Sequence, residues 1–70
     1  MKDLEIGGMY RHYKGGKYKV LHEAVHSENM EHLVIYQNLA DETIWARPKH
    51  EFLENIMVEG KEIERFKKVD

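Results

Sequence analysis

The longest uninterrupted apolar run in the chain is Leu33-Val34-Ile35-Tyr36, and every other run is shorter. A segment this short, with β-branched and aromatic side chains, reads as a buried central strand rather than a helix. It also falls far below the roughly 20 apolar residues that a membrane-spanning helix needs. The core must therefore be assembled from several short extended segments, each giving a few side chains.

Those segments appear in order along the sequence. Gly8-Met9-Tyr10-Arg11-His12-Tyr13 has the aromatic content of a strand and is bounded by glycine. Gly15-Gly16 supplies residues that tolerate positive φ in a tight turn. Lys17 to His26 is then the second arm of a hairpin. Strict alternation places Tyr18, Val20, His22 and Ala24 on one face, with Lys19, Leu21 and Glu23 on the other. Ser27 to Glu31 is a polar loop in which Ser27 and Glu28 are expected to bond nearby backbone amides. His32 to Gln37 is the third strand. Asn38 to Glu42 is the next connection, with Asn38 and Asp41 as turn formers. Thr43 to Arg47 is the fourth strand, stopped by Pro48, which has no N–H for a ladder.

After Pro48 the spacing predicts one helical turn over Lys49 to Glu54. Then β structure is expected through Ile56-Met57-Val58, a turn at Glu59-Gly60, and Lys61 to Phe66. The pattern predicts a mainly β fold, a small SH3-like, partly open five-stranded barrel with one short helical turn. The expected organisation is one domain over residues 1–70, with an N-terminal extension at 1–6 and the barrel at 7–69. The expected core is Met9, Tyr18, Val20, Ala24, Leu33, Ile35, Ile44, Phe52 and Ile56.

Seventy residues without cysteine leave packing and strand pairing as the sources of stability. A chain of this length buries only about 60% of its extended surface, and it has neither a disulfide nor a thiolate zinc site. The acidic, non-apolar start Met1-Lys2-Asp3-Leu4-Glu5 does not read as a signal peptide. Together with the missing cysteines it points to a cytoplasmic location. A net charge of −2 argues against binding polyanions by bulk attraction. The distribution is uneven, however. Ile6 to His22 holds Arg11, Lys14, Lys17 and Lys19 with no acid, whereas Glu23 to Pro48 holds five acids and Arg47 as its one such base. Solvated strand faces explain this as well as a basic stripe that meets an anion.

Four blocks then look familiar. Gly8-Met9-Tyr10-Arg11-His12-Tyr13-Lys14-Gly15 runs on to Tyr18-Lys19-Val20. His26-Ser27-Glu28, Val34-Ile35-Tyr36 and Trp45-Ala46-Arg47-Pro48 with Phe52 follow in that order. Together, over about Gly8 to Phe66, they resemble the bacterial "domain of unknown function 1653" family of small proteins. The resemblance implies a compact single-domain protein. It brings no activity and no catalytic residue with it.

The chemistry has to come from the residues. Of His12, His22, His26, His32 and His50, the pair His22 and His26 would lie on one side of an extended strand. Four residues at about 3.3 Å each separate them by roughly 13 Å, too far to share one ion. Ser27 beside His26 lacks the strained elbow of a nucleophile, and the glycine pairs open no phosphate-binding helix. No catalytic residue, metal or cofactor is expected. The aromatic and basic residues carry more. Tyr10, His12, Tyr13, Trp45 and Arg47 come from two blocks that strand order could join into a groove. Such a groove would take a small anionic or aromatic ligand, a nucleotide-like group or a peptide segment, in a non-enzymatic binding module. The alternative is a structural or interaction protein that forms a homodimer or docks on a partner through a strand edge. Nucleic acid at the basic hairpin is a further candidate partner, and a membrane is not. An enzyme would require converging histidines.

Overall fold

The computed structural model describes residues 3–69. Met1 and Lys2 of the expected N-terminal extension lie outside the described residues, as does Asp70. Seven strands and one helix follow in order: β1 (Met9–His12), β2 (Lys17–Val25), β3 (His32–Asn38), β4 (Ile44–Pro48), α1 (Lys49–Leu53), β5 (Asn55–Val58), β6 (Lys61–Glu64) and β7 (Phe66–Val69). All pairings are antiparallel. Five strands form one sheet in the order β4-β3-β2-β1-β7, and β5-β6 is a separate hairpin.

Local chemistry explains the turns. Gly15 and Gly16 take φ of +103° and +90°, and the Gly15 N–H donates to the His12 carbonyl at 2.8 Å. Asn38 and Asp41 act as the sequence suggests. Their carboxamide and carboxylate oxygens accept from the Ala40 and Thr43 amides at 2.8 and 2.9 Å. In the loop after β2 the expectation fails. His26 Nδ1 accepts from the Glu28 amide at 3.1 Å and Asn29 Oδ1 from the Glu31 amide at 2.9 Å. Ser27 and Glu28 side chains have no such bond among the described residues.

The sheet is not closed into a barrel. Its edges are β4 and β7, and no ladder joins them. The stretch expected to end as a single strand is broken at Arg65. Its first half, β6, pairs with β5, while β7 leaves that hairpin and adds to β1. The concave face nonetheless closes through side chains. Phe66 at one edge lies 5.8 Å from the Arg47 guanidinium carbon at the other, and 5.4 Å from the Tyr36 ring.

The core is Tyr10, Val20, Val34, Tyr36, Phe52 and Phe66. Of the expected core residues, Val20 and Phe52 are fully buried and Tyr18 packs against the cluster. Met9, Ala24, Leu33, Ile35 and Ile56 are only partly covered, and Ile44 is 58% exposed. The cause is a parity error. Leu33-Val34-Ile35-Tyr36 is apolar on both faces, so alternation alone does not say which pair points inward; Val34 and Tyr36 do. On β2 a bulge between Val20 and His22 adds one residue, so Tyr36 faces Val20 while Ile35 faces His22. Tyr18 and Val20 stay on the core face, but His22 and Ala24 move to the other, and Glu23 takes their place opposite Val34. The segment before β1 is tied down as well. Leu4 packs on the core, the Glu5 amide donates to the Tyr10 hydroxyl at 3.1 Å, and the Gly7 amide donates to the Val20 carbonyl at 2.8 Å.

Among the described residues no helix is long and apolar enough to cross a membrane.

Candidate functional site

Cross-strand neighbours share a sheet face, so the register alone gathers a set of side chains on the concave side. Tyr18 lies opposite Tyr10, and His12 lies two residues beyond Tyr10 and opposite Phe66. Trp45 lies opposite Tyr36, and Arg47 opposite Val34. His12, Tyr18, Tyr36, Trp45, Arg47 and Phe66 line one cavity of about 170 Å³. The rings pack edge to face. Tyr18 sits 5.5 Å from Tyr36 and 5.6 Å from Phe66, and His12 sits 4.8 Å from Phe66. Such aromatic pairs hold their geometry beyond what burial alone would give.

Three of the five residues expected at a groove, His12, Trp45 and Arg47, meet here. The other two do not. Tyr10 is 3% exposed and belongs to the core, where its edge meets Phe52 at 5.2 Å. Its phenol is pushed above the usual range by burial and then by the Glu64 carboxylate. Tyr13 follows the end of β1, where alternation sends it away from the cavity, and it lines a separate depression with Arg11 and Lys67. Tyr18, Tyr36 and Phe66 line the cavity without being expected there, Tyr36 as part of the buried third strand. Tyr18 was assigned to the core, and Phe66 lies in the C-terminal stretch whose pairing the sequence does not encode.

The polar groups of the cavity include no carboxylate. Arg47 Nε donates to the Tyr36 hydroxyl at 3.3 Å, and one terminal nitrogen reaches Glu51 at 3.6 Å, a loose and partly exposed pair. His12 Nδ1 accepts from the Lys14 amide at 3.1 Å. That bond requires an unprotonated Nδ1, so the neutral ring carries its proton on Nε2. The His12 pKa is held below the ordinary value by burial first, then by the charges of Arg47, Arg65 and Lys14. In the unfolded chain this histidine protonates near pH 6.5, and the folded ring takes up its proton only at lower pH. Its contribution to stability is therefore complete above about pH 6.5 and is lost as pH falls below it. An NMR titration should find the His12 midpoint below 6.5, and Arg47→Ala should move it upward. A midpoint unmoved by that substitution would show that Arg47 does not act on the ring.

Two larger depressions offer less. One, about 450 Å³, is lined by Glu23, Glu31, His32, Lys49, His50 and Leu53, and its charges already pair with each other. Glu23 accepts from Lys49 at 3.1 Å and from His32 at 2.8 Å, and these bonds hold its carboxyl below the usual range. The other, about 390 Å³, sets Arg11 and Lys67 across from Glu62 and Glu64. Among the described residues no three metal-ligating side chains are grouped so as to hold an ion.

No curated protein and no solved structure matches the chain. A family model described as "Protein of unknown function (DUF1653)" matches residues 8–68, which takes in every strand but the last residue of β7. By that match the chain belongs to the DUF1653 family.

Proposed function

We propose that the protein is a non-enzymatic binding module whose concave cavity takes one small anionic, planar group. The observation that carries the reading is the pairing of a guanidinium with rings. Arg47 and Trp45 on edge strand β4 meet His12 of β1 and Phe66 of edge strand β7, around a space that no carboxylate lines. Arg47 suits a carboxylate or phosphate, because its planar fork can bond two oxygens at once. Neutral His12 adds a further donor. The volume supports a fragment over a whole nucleotide. At 170 Å³ the cavity is smaller than the roughly 300–1,000 Å³ of drug-sized sites. A single carboxylate-bearing side chain of a peptide, or one aromatic acid, fits that scale. We read the curled sheet with its helical turn as an opened form of the small SH3-like barrels. We also take the chain to work as one domain in the cytoplasm.

Benzoate and its uncharged analogue benzamide are suitable probes. Benzoate should shift the Trp45 indole N–H and the His12 ring in NMR spectra, with a Kd of about 1 mM. Benzamide should shift them less. Arg47→Ala should weaken benzoate at least about tenfold, the scale of a lost charge-assisted hydrogen bond. Benzoate that leaves Trp45 and His12 unmoved in the folded protein removes this reading.

A second reading is favoured by the β4 edge. The Asn38 amide donates to the Thr43 carbonyl at 2.8 Å. Bonded pairs recur at every second position of an antiparallel ladder, so Trp45 and Arg47 bond inward to β3. The amides of Ile44 and Ala46 then point outward, beside Ile44 and Trp45 side chains that are 58% and 51% exposed. An unpaired apolar edge invites another strand, and a homodimer or partner could form there. Light scattering that finds a dimer dissociated by Ile44→Lys supports this reading; a monomer at all concentrations opposes self-association.

A further inference from the structure

The convex face of the five-stranded sheet carries cations in register. Arg11 on β1 lies directly opposite Lys17 on β2 and Lys67 on β7. Lys19, two residues on from Lys17, shares their face and lies opposite Met9. All four are exposed. The other residues that the register places on this face are apolar or are Gln37 and His22, and none is acidic. A chain with 13 acids and a net charge of −2 thus gathers four cations on the β7-β1-β2 part of one sheet face. Among the described residues no ion pair or side-chain hydrogen bond engages Arg11, Lys17, Lys19 or Lys67. Glu62 and Glu64 share a depression with Arg11 and Lys67, and neither of these two cations forms an ion pair there among the described residues.

Like charges directly opposite each other on a sheet destabilise it. The row Lys67-Arg11-Lys17 contains two such pairs side by side. Adjacent strands lie about 4.8 Å apart, so three cations span about 10 Å in a line. A nucleic acid strand presents phosphates at a comparable pitch, about one charge per 3.4 Å of duplex axis. We propose that this convex face binds the phosphodiester backbone of a nucleic acid. Exposed Tyr13 borders the row where it lines a depression with Arg11 and Lys67, and the four cations meet phosphates, contacts that fix position without reading sequence. Lys14, the fourth cation of the basic stretch, is outside the row; it lies over the Tyr13 ring at 5.6 Å. The site is on the opposite side of the sheet from the concave cavity, and does not depend on it.

Fluorescence anisotropy with a short labelled DNA duplex, titrated with the full chain between about 50 and 200 mM salt, tests this. Four phosphate contacts predict a slope of log K against log salt of about −3.6. Arg11→Glu should weaken binding at least tenfold and flatten the slope. The same substitution replaces two like-charged cross-strand pairs by opposite ones while setting a carboxylate across from Glu62 and Glu64, so Tm is measured beside binding to confirm that the variant is folded. Lys61→Glu, an equal charge change on exposed β6, should leave binding as it was. The neutral variant Lys17→Gln/Lys67→Gln should rank with Arg11→Glu without charge reversal. The proposal is overturned if the native chain does not bind the duplex at the lowest salt. It also falls if Lys61→Glu weakens binding as much as Arg11→Glu, which would indicate bulk charge. Binding to phosphatidylserine vesicles with none to the duplex would overturn it as well, since a lipid surface would then be the ligand.

Discussion

Phe52→Ala should cost about 3–5 kcal/mol, the largest loss expected from removing one side chain in this protein. Phe52 is fully buried, and it stacks on Phe66 with ring centroids 4.1 Å apart. It also meets Tyr10 and Tyr36, each at 5.2 Å. It is the fully buried side chain of α1, with Leu53 packed against the same core. A five-residue helix has no stability of its own, so this anchor also holds the β4-to-β5 connection in place. At about 0.05–0.15 kcal/mol per residue, a domain of this size has a total stability of about 4–10 kcal/mol. The variant should therefore be partly unfolded at room temperature, with Tm lowered by more than about 15 °C. Met57→Ala, at a position 67% exposed, should stay within about 0.5 kcal/mol of the native chain. Denaturation followed by circular dichroism compares the two. A loss below about 1.5 kcal/mol for Phe52→Ala would mean that the ring stack is not the centre of the fold.

The elements of this fold could be read from the sequence because each is punctuated locally. Glycine pairs, Asn38, Asp41 and Pro48 mark the ends of the first four strands, and Phe52 at helical spacing after Pro48 marks the turn of helix. What could not be read was which neighbour each face meets. On β3, Val34 and Tyr36 are no more apolar than Leu33 and Ile35, so the buried pair is chosen by tertiary packing. Tyr10 is expected at a groove because basic residues surround it in its block, and Tyr10 and Tyr36 both carry hydroxyls. In the fold those hydroxyls are satisfied at the rim, by the Glu5 amide and by Arg47, which lets the rings be buried. The β7 strand pairs with β1 across more than fifty residues of chain, and nothing local in Phe66-Lys67-Lys68-Val69 specifies that partner. Phe66 and Lys67 were therefore invisible as members of the cavity and of the cationic row. His12, Trp45 and Arg47 are legible as a set because two short blocks carry them and both blocks, as β1 and β4, belong to one sheet.

The β2 bulge gives the second large expected effect. Plain alternation would put Val20 and His22 on the same face, so a carboxylate at either position would be buried and ruinous. With Leu21 as the extra residue, Val20 faces the core with no exposure, while His22 is exposed on the convex face. Val20→Asp should then leave the chain largely unfolded at neutral pH. A carboxylate among Tyr10, Tyr36 and Phe52 loses its water and gains no partner, a cost of several kcal/mol against a total of about 4–10. His22→Asp should change stability by no more than about 0.5 kcal/mol. The pH dependence of the first variant adds a sign that a mere packing defect lacks. Burial raises the pKa of the introduced carboxyl in the folded state, so its ionised form is what opposes folding. The deficit should be full at pH values well above that raised pKa, and should shrink as pH falls toward the ordinary carboxyl range near 3.9. Urea midpoints measured between neutral and mildly acidic pH would read both effects. Equal losses in the two variants would mean that β2 runs without its bulge, and that the assignment of faces beyond Val20 is wrong.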